Sequence, residues 1–166
     1  MNFILGNDWG LFFVFTISII AILAAADLLL KKMNVHPHTT RRLVHILVGG
    51  LVCLGPFLFD SQYPLLAVAL IFIILNYFAL KKNLLKGIHE TDRVSYGTVY
   101  FPISFFILVC WFWHKDPAIL QTAMLIMALG DPVASWVGES RKKPLTFKIL
   151  TDKKSLQGSA AMFVVS

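Results

Sequence analysis

The segment MALGDPVASWVGES, Met127 to Ser140, places a carboxylate, Asp131, in a stretch whose neighbours are mainly apolar or small. A carboxylate near the centre of a membrane helix costs about 2.5–3.5 kcal/mol on insertion scales, so such residues concentrate where they do chemistry. In helical geometry Asp131, Ala134, Ser135 and Gly138 follow i, i+3, i+4, i+7 spacing and share one face, suited to close helix packing or to a ligand. Pro132 opens another reading, because a proline disfavours the α conformation in the residue before it. Asp131 would then cap a new half-helix with Pro132 in its first turn. Broken helices at membrane depth also border protein or water-filled cavities, so both readings point to a site.

The next segment, ESRKKPLTFKILTDKKSLQGSAA, supplies the complementary charge. Arg141, Lys142, Lys143, Lys148, Lys153 and Lys154 precede Ser155, a residue type that caps helices, and Gly158 and Ser159 fall in the first turn beyond it. A carboxylate takes a hard cation, while Lys, Arg and helix-start amides take phosphate oxygens. The combination suits a magnesium–polyphosphate complex. Neither GxxxxGK[ST] nor GxGxxG occurs, so a nucleotide site here is of another type.

Candidates also lie earlier in the chain. His45 precedes Gly49 by four, on one helical face at the basic end of its apolar run. There it would orient phosphate, accept the proton of a lipid hydroxyl, or serve as a hydrogen-bonded interfacial histidine. Arg42 suits phosphate or lipid headgroups. In SYGTVYFP, Gly97 and Thr98 either allow close approach of a substrate or mark a loop-to-helix start, with Tyr96 and Tyr100 at interfacial aromatic positions. Asp27 precedes Lys31 by four and reads as a helix-end ion pair.

The elements that must position these residues are set by the solvent. With 57% hydrophobic and 14% charged residues and a mean hydropathy of +0.73, the chain is far from a soluble domain, where about a quarter of residues are charged. The expected fold is an all-α, polytopic transmembrane bundle. Its apolar runs cover residues 11–30, 43–59, 65–80, 99–113 and 117–137, five full spans of which the third and fourth need flanking residues to cross. A sixth run begins at Ser159 and stops at Ser166, so residues 1–166 are expected to form one integral membrane domain truncated within a helix, with its lipid pocket incomplete. The first run lacks a basic n-region and a cleavage site, the pattern of a retained helix. Cys53 and Cys110 fall inside spans and indicate neither a disulfide framework nor a metal site.

Every Lys and Arg except Lys115 lies in the connections after the first, third and fifth spans or at their edges. The positive-inside rule places these connections in the cytoplasm and the N-terminus outside. Basic residues bordering membrane helices attract anionic lipid and argue against a nucleic-acid partner. The external connections, 60–64 and 114–116, are tight, so chemistry is expected on the cytoplasmic side.

At this point a resemblance can be stated on particular residues. ALGDPVASWVGES, the basic spacer and DKKSLQGS resemble the paired C-terminal motifs of the membrane-embedded CTP-dependent lipid kinases, the dolichol, phytol and diacylglycerol kinase family, itself related to the phosphatidate cytidylyltransferases. TRRLVHILVGG and RVSYGTVYFPISF resemble that family's earlier segments, so the likeness covers most of the chain from Thr39 onward. The resemblance implies phosphoryl transfer from CTP to the hydroxyl of a membrane lipid alcohol, with Mg²⁺ as cofactor. By position, Asp131 would hold Mg²⁺, with Asp152 or Glu139 as a further contact. Lys153 and Lys154 would contact the triphosphate with help from Arg141, and Ser155, Gly158 and Ser159 would shape the helix start around it. Gln157 departs from the pattern, standing where these relatives often carry Glu.

Two other classes compete with this reading. A cytidylyltransferase forming a CDP-lipid shares the motif order. A transporter or non-enzymatic membrane protein fits less well, because ion pathways use intramembrane polar groups on several helices and Asp131 is the only carboxylate well inside a span. The motifs do not name the lipid.

Overall fold

The computed structural model describes residues 7–33, 37–82, 97–140, 145–149 and 152–166. Helix α1 (Asp8–Met33) is followed by α2 (Pro37–Cys53), the short α3 (Gly55–Leu58), α4 (Tyr63–Lys81), α5 (Gly97–Phe112) and α6 (Pro117–Ser140). Strands β1 (Thr146–Ile149) and β2 (Asp152–Ser155) then lead into α7 (Leu156–Val165). With the α2–α3 pair counted as one, four segments are long and apolar enough to cross a membrane: Asp8–Leu29, Thr39–Leu58, Tyr63–Lys81 and Pro117–Ser140. In the third expected span, flanking residues extend the helix to 19 residues. The fourth forms a helix of only 16 residues, a rise of about 24 Å against the ~30 Å of a hydrocarbon core.

Prolines and carboxylates set the element boundaries opposite the basic face. Pro56 in the first turn of α3 lacks the N–H that would continue α2, and the chain turns at Leu54. Asp116 accepts a hydrogen bond from the Ala118 amide at 2.9 Å, just ahead of Pro117, the arrangement of an N-cap with proline at the first helical position. Asp8, in the first turn of α1, accepts from the amides of Asp60 and Ser61 at 3.1 and 2.8 Å and ties α1 to the α3–α4 connection. At the basic face, Lys31 pairs with Asp27 as their spacing predicts.

The core is apolar side chains from α1, α2, α4, α5 and α6, with Leu65, Val68, Val109, Leu120 and Met124 almost wholly enclosed. Helix α6 makes its most extensive contacts with α7 and α2, and α4 with α5.

Two sequence expectations are corrected. Helix α6 runs unbroken through Gly130, Asp131 and Pro132, so Asp131 is not the cap of a half-helix. The preference imposed by a proline on its predecessor is a local bias, and here packing on both flanks of α6 holds the helical path. The basic segment is also not simply a loop. It contains an antiparallel hairpin pairing Thr146 with Ser155, Phe147 with Lys154, Lys148 with Lys153 and Ile149 with Asp152, one small β element in a fold that is otherwise helical, as expected of an all-α membrane protein.

Candidate active site

Helices α2 and α6 run antiparallel and approach closely where Gly49 meets Ala128: a Cβ added at Gly49 would collide with the Ala128 Cβ and lie 3.2 Å from its Cα. Only a residue without a side chain fits that crossing. From it the facing residues follow in register toward the basic end. His45 faces Asp131, with Nε2 and Oδ2 3.9 Å apart. That separation is within ion-pair range and beyond a direct hydrogen bond, a span that one oxygen atom can bridge.

One turn further, the Arg42 guanidinium donates through Nε and Nη2 to Ser135 Oγ, each at 3.2 Å. Arg42 also pairs with Glu139, and Ser135 Oγ donates to Glu139 Oε1 at 2.9 Å. Arg42 is thus held on α6 rather than left to lipid headgroups. Glu139 reaches a cation only in competition with this guanidinium.

The other side of α6 is closed by α7. A Cβ on Gly138 would lie 2.6 Å from Ser155 Oγ, and one on Gly158 would lie 2.6 Å from the Ala134 carbonyl oxygen. A Cβ on Gly130 would lie 3.4 Å from Met162 Cγ. Residues 130, 134 and 138 therefore form the stripe against α7, and 128, 135 and 139 the stripe against α2. With 3.6 residues per turn, Asp131 falls between the two stripes. It stands over the crevice where α2, α6 and the start of α7 converge, with its side chain 42% exposed beside a His45 that is 10% exposed.

The start of α7 is organised as the sequence predicts, with one qualification. Ser155 is the N-cap and accepts from the Gly158 amide at 3.1 Å. Ser159 Oγ donates to the Ser155 carbonyl at 3.2 Å. The Leu156 amide, however, bonds the Leu145 carbonyl at 2.8 Å, and Gln157 Oε1 accepts from the Leu145 amide at 3.2 Å. Two first-turn amides are already engaged, so an anion placed here would depend on side-chain cations more than on free N–H groups. Gln157 thus fastens the hairpin to α7.

The hairpin register separates the two lysines of the motif. Successive strand residues point to opposite faces, so position 153 shares a face with 155 and position 154 lies on the other. Lys154 is exposed. Asp152 sits in β2 opposite Ile149. Arg141 lies outside the described residues.

Gly97 and Thr98 open α5 across the bundle from α6. Pro102 removes the donor that would satisfy the Thr98 carbonyl, and Asn76 Nδ2 of α4 supplies it at 3.1 Å. Asn76 is absent from the candidates named above, although a lone amide in the apolar run 63–81 is a usable signal. A mainly apolar cavity, continuous with the outside, lies between α1, α2, α4 and α5, and Arg41, His45, Asn76 and Thr98 are on its wall. His45 packs edge-on against Phe101, another wall residue, with ring centroids 5.2 Å apart. This histidine therefore borders both the cavity and the Asp131 crevice.

Among the described residues no three His, Cys, Asp or Glu side chains converge on one point. The donor set suits Mg²⁺, which is bound through one or two carboxylates plus substrate phosphates and water, rather than a cation needing an all-protein cage.

Comparison with known proteins gives two relatives. A phytol kinase from Synechocystis sp. is 28% identical over 152 residues, 88% of this chain and 63% of that protein. A probable chloroplastic phytol kinase from Triticum aestivum is 27% identical over 173 residues, 95% of this chain and 56% of that protein. The chain thus spans less than two thirds of the length of these curated relatives. No family model matches the chain, and no solved structure does. The chain is similar to phytol kinases over most of its length.

Proposed function

We propose that this protein phosphorylates the hydroxyl of a membrane lipid alcohol, with CTP as donor, at the cytoplasmic end of the bundle. The observation that carries the reading is the position of His45, which borders an apolar cavity on one side and faces Asp131 in a polar crevice on the other. A lipid hydroxyl and a nucleotide triphosphate can meet there from opposite sides. The names of the two relatives support a kinase acting on a lipid alcohol. The donor CTP, the magnesium and the cytoplasmic orientation rest on the motif resemblance and on the distribution of Lys and Arg.

In this reading the alcohol oxygen attacks the γ-phosphorus, the bond from that phosphorus to the β–γ bridging oxygen breaks, and CDP departs. The hydroxyl proton passes to His45 Nε2, directly or through one water. Asp131 would hold Mg²⁺, which neutralises charge on the transferring phosphate oxygens when bound. Lysines of the hairpin hold the triphosphate, and Arg42, fixed by Ser135 and Glu139, keeps α2 in register with α6. Such chemistry is positioning and charge stabilisation more than covalent catalysis by the protein.

The test is to supply CTP labelled at either the α or the γ phosphorus to the full-length protein in detergent, with phytol, a polyprenol and diacylglycerol in turn. Label from γ on an alcohol is the expected result. Label from α on a lipid would replace this reading with a cytidylyltransferase, and no transfer from either position would remove it.

A further inference from the structure

The cavity between α1, α2, α4 and α5 is graded from polar to apolar. On three of its walls the lining runs seven residues inward from the basic end: His45 to Val52 on α2, Asn76 to Ala69 on α4, and Thr98 to Phe105 on α5. Seven residues of helix rise by about 10 Å. The outer end thus presents an imidazole, an amide, a hydroxyl and the Arg41 side chain, and the remaining depth presents aliphatic and aromatic carbon.

A second observation marks the outer end. Thr98 is 8% exposed, and among the described residues its Oγ1 is buried without a hydrogen-bond partner. A hydroxyl offers one donor and two acceptors, and leaving all of them unmatched in a buried position is unfavourable. The neighbouring amide, Asn76, donates to the Thr98 carbonyl and not to its hydroxyl.

We infer that this cavity receives the hydrocarbon chain of a lipid alcohol, whose hydroxyl bonds Thr98 Oγ1 beside His45. The inference rests on the kinase reading for what happens to the hydroxyl afterwards, but not for the binding itself. It assigns the tail site to the four helices of this bundle. Ala69 lies at the apolar end and governs how deep a chain can enter, and Thr98 separates an alcohol from a plain hydrocarbon.

The probe is a phytol analogue with a diazirine about 10 Å from its hydroxyl, the depth set by the helix rise, photolysed with the full chain in detergent without nucleotide. Adducts are expected on the segments around Ala69, Phe72 and Phe105. Ala69→Phe, which fills the apolar end, should reduce them at least about tenfold, the scale of losing part of an apolar contact. Thr98→Val keeps the shape and removes the hydroxyl. It should weaken competition by unlabelled phytol about three- to tenfold while leaving competition by the saturated hydrocarbon phytane unchanged, a readout that holds even where Ala69→Phe lowers stability. Adducts on outward-facing residues of α1 such as Phe13 and Ile17, or phytol competition unmoved by Thr98→Val, would overturn the assignment. Adducts in the cavity without phosphoryl transfer would remove the kinase reading and leave the pocket, whereas phosphorylation with outward adducts would do the reverse.

Discussion

Replacing Asp131 by asparagine separates its charge from its shape. The amide fits the same crevice between the two stripes of α6 but is a poor ligand for a hard cation. Metal neutralisation of a transferring phosphoryl group is worth several kcal/mol, so Asp131→Asn should lower turnover at least about a hundredfold with the detergent melting temperature little changed. Activity that persists with undiminished magnesium dependence would place the metal elsewhere. Asp131 stands out in the sequence because a carboxylate in an apolar run is conspicuous. The tether on Arg42 is not, since its partners Ser135 and Glu139 lie more than ninety positions away and meet it only through helix packing.

At the scale of elements, the hairpin makes a forecast about adjacent lysines that a flexible basic loop does not. Position 153 shares the face of the capping Ser155, and 154 lies on the opposite face. Lys153→Ala should therefore lower turnover at saturating nucleotide at least about tenfold, below the 100- to 1000-fold typical of a lost transition-state donor, and Lys154→Ala should lower it much less. Equal losses would mean that both residues act only as surface charge. The helix crossings give a second contrast. Gly49→Ala forces a collision with Ala128, an overpacking of about 1–3 kcal/mol, whereas a Cβ at Gly50 meets nothing within 4 Å. Thermal unfolding in detergent should show Gly49→Ala clearly destabilised and Gly50→Ala unchanged or slightly stabilised, and similar shifts in both would contradict the α2–α6 crossing. The Ser155 cap is legible because capping is local. The hairpin escapes a periodicity search because strands of four residues carry too little alternation, and the unbroken α6 escapes it because tertiary packing overrides the effect of Pro132.

At the scale of the whole molecule, the solvent is the most legible property, because membrane partitioning sums over many residues. Asp8, Asp60, Ser61 and Asp116 gather at one end of the bundle, while Lys31, Lys32, Arg42, Lys81 and Glu139 lie at the other. In a background carrying Cys53→Ala and Cys110→Ala, Ser140→Cys should react with an impermeant maleimide only from the cytoplasmic side and Ser61→Cys only from outside. Reaction of both from one side would refute the alternation of helices on which this orientation rests. The short α5 is the element that composition describes least well, because its 16 residues are apolar yet shorter than the four helices long enough to cross a membrane.

The stripe of small residues on α6 also has a consequence in time. Gly130, Ala134 and Gly138 are covered by Ser155, Gly158 and Met162, which the ribosome adds well after Ser140. At about 5–20 residues per second, the interval from Ser140 to Val165 is roughly 1–5 s. During it α6 stands in the bilayer with that groove uncovered, and the third wall of the Asp131 crevice does not yet exist. A nascent chain released before α7 emerges would hold α2 against α6 with the small-residue stripe still bare, so the surroundings of Asp131 are completed by a later helix and not by the residue that holds the charge.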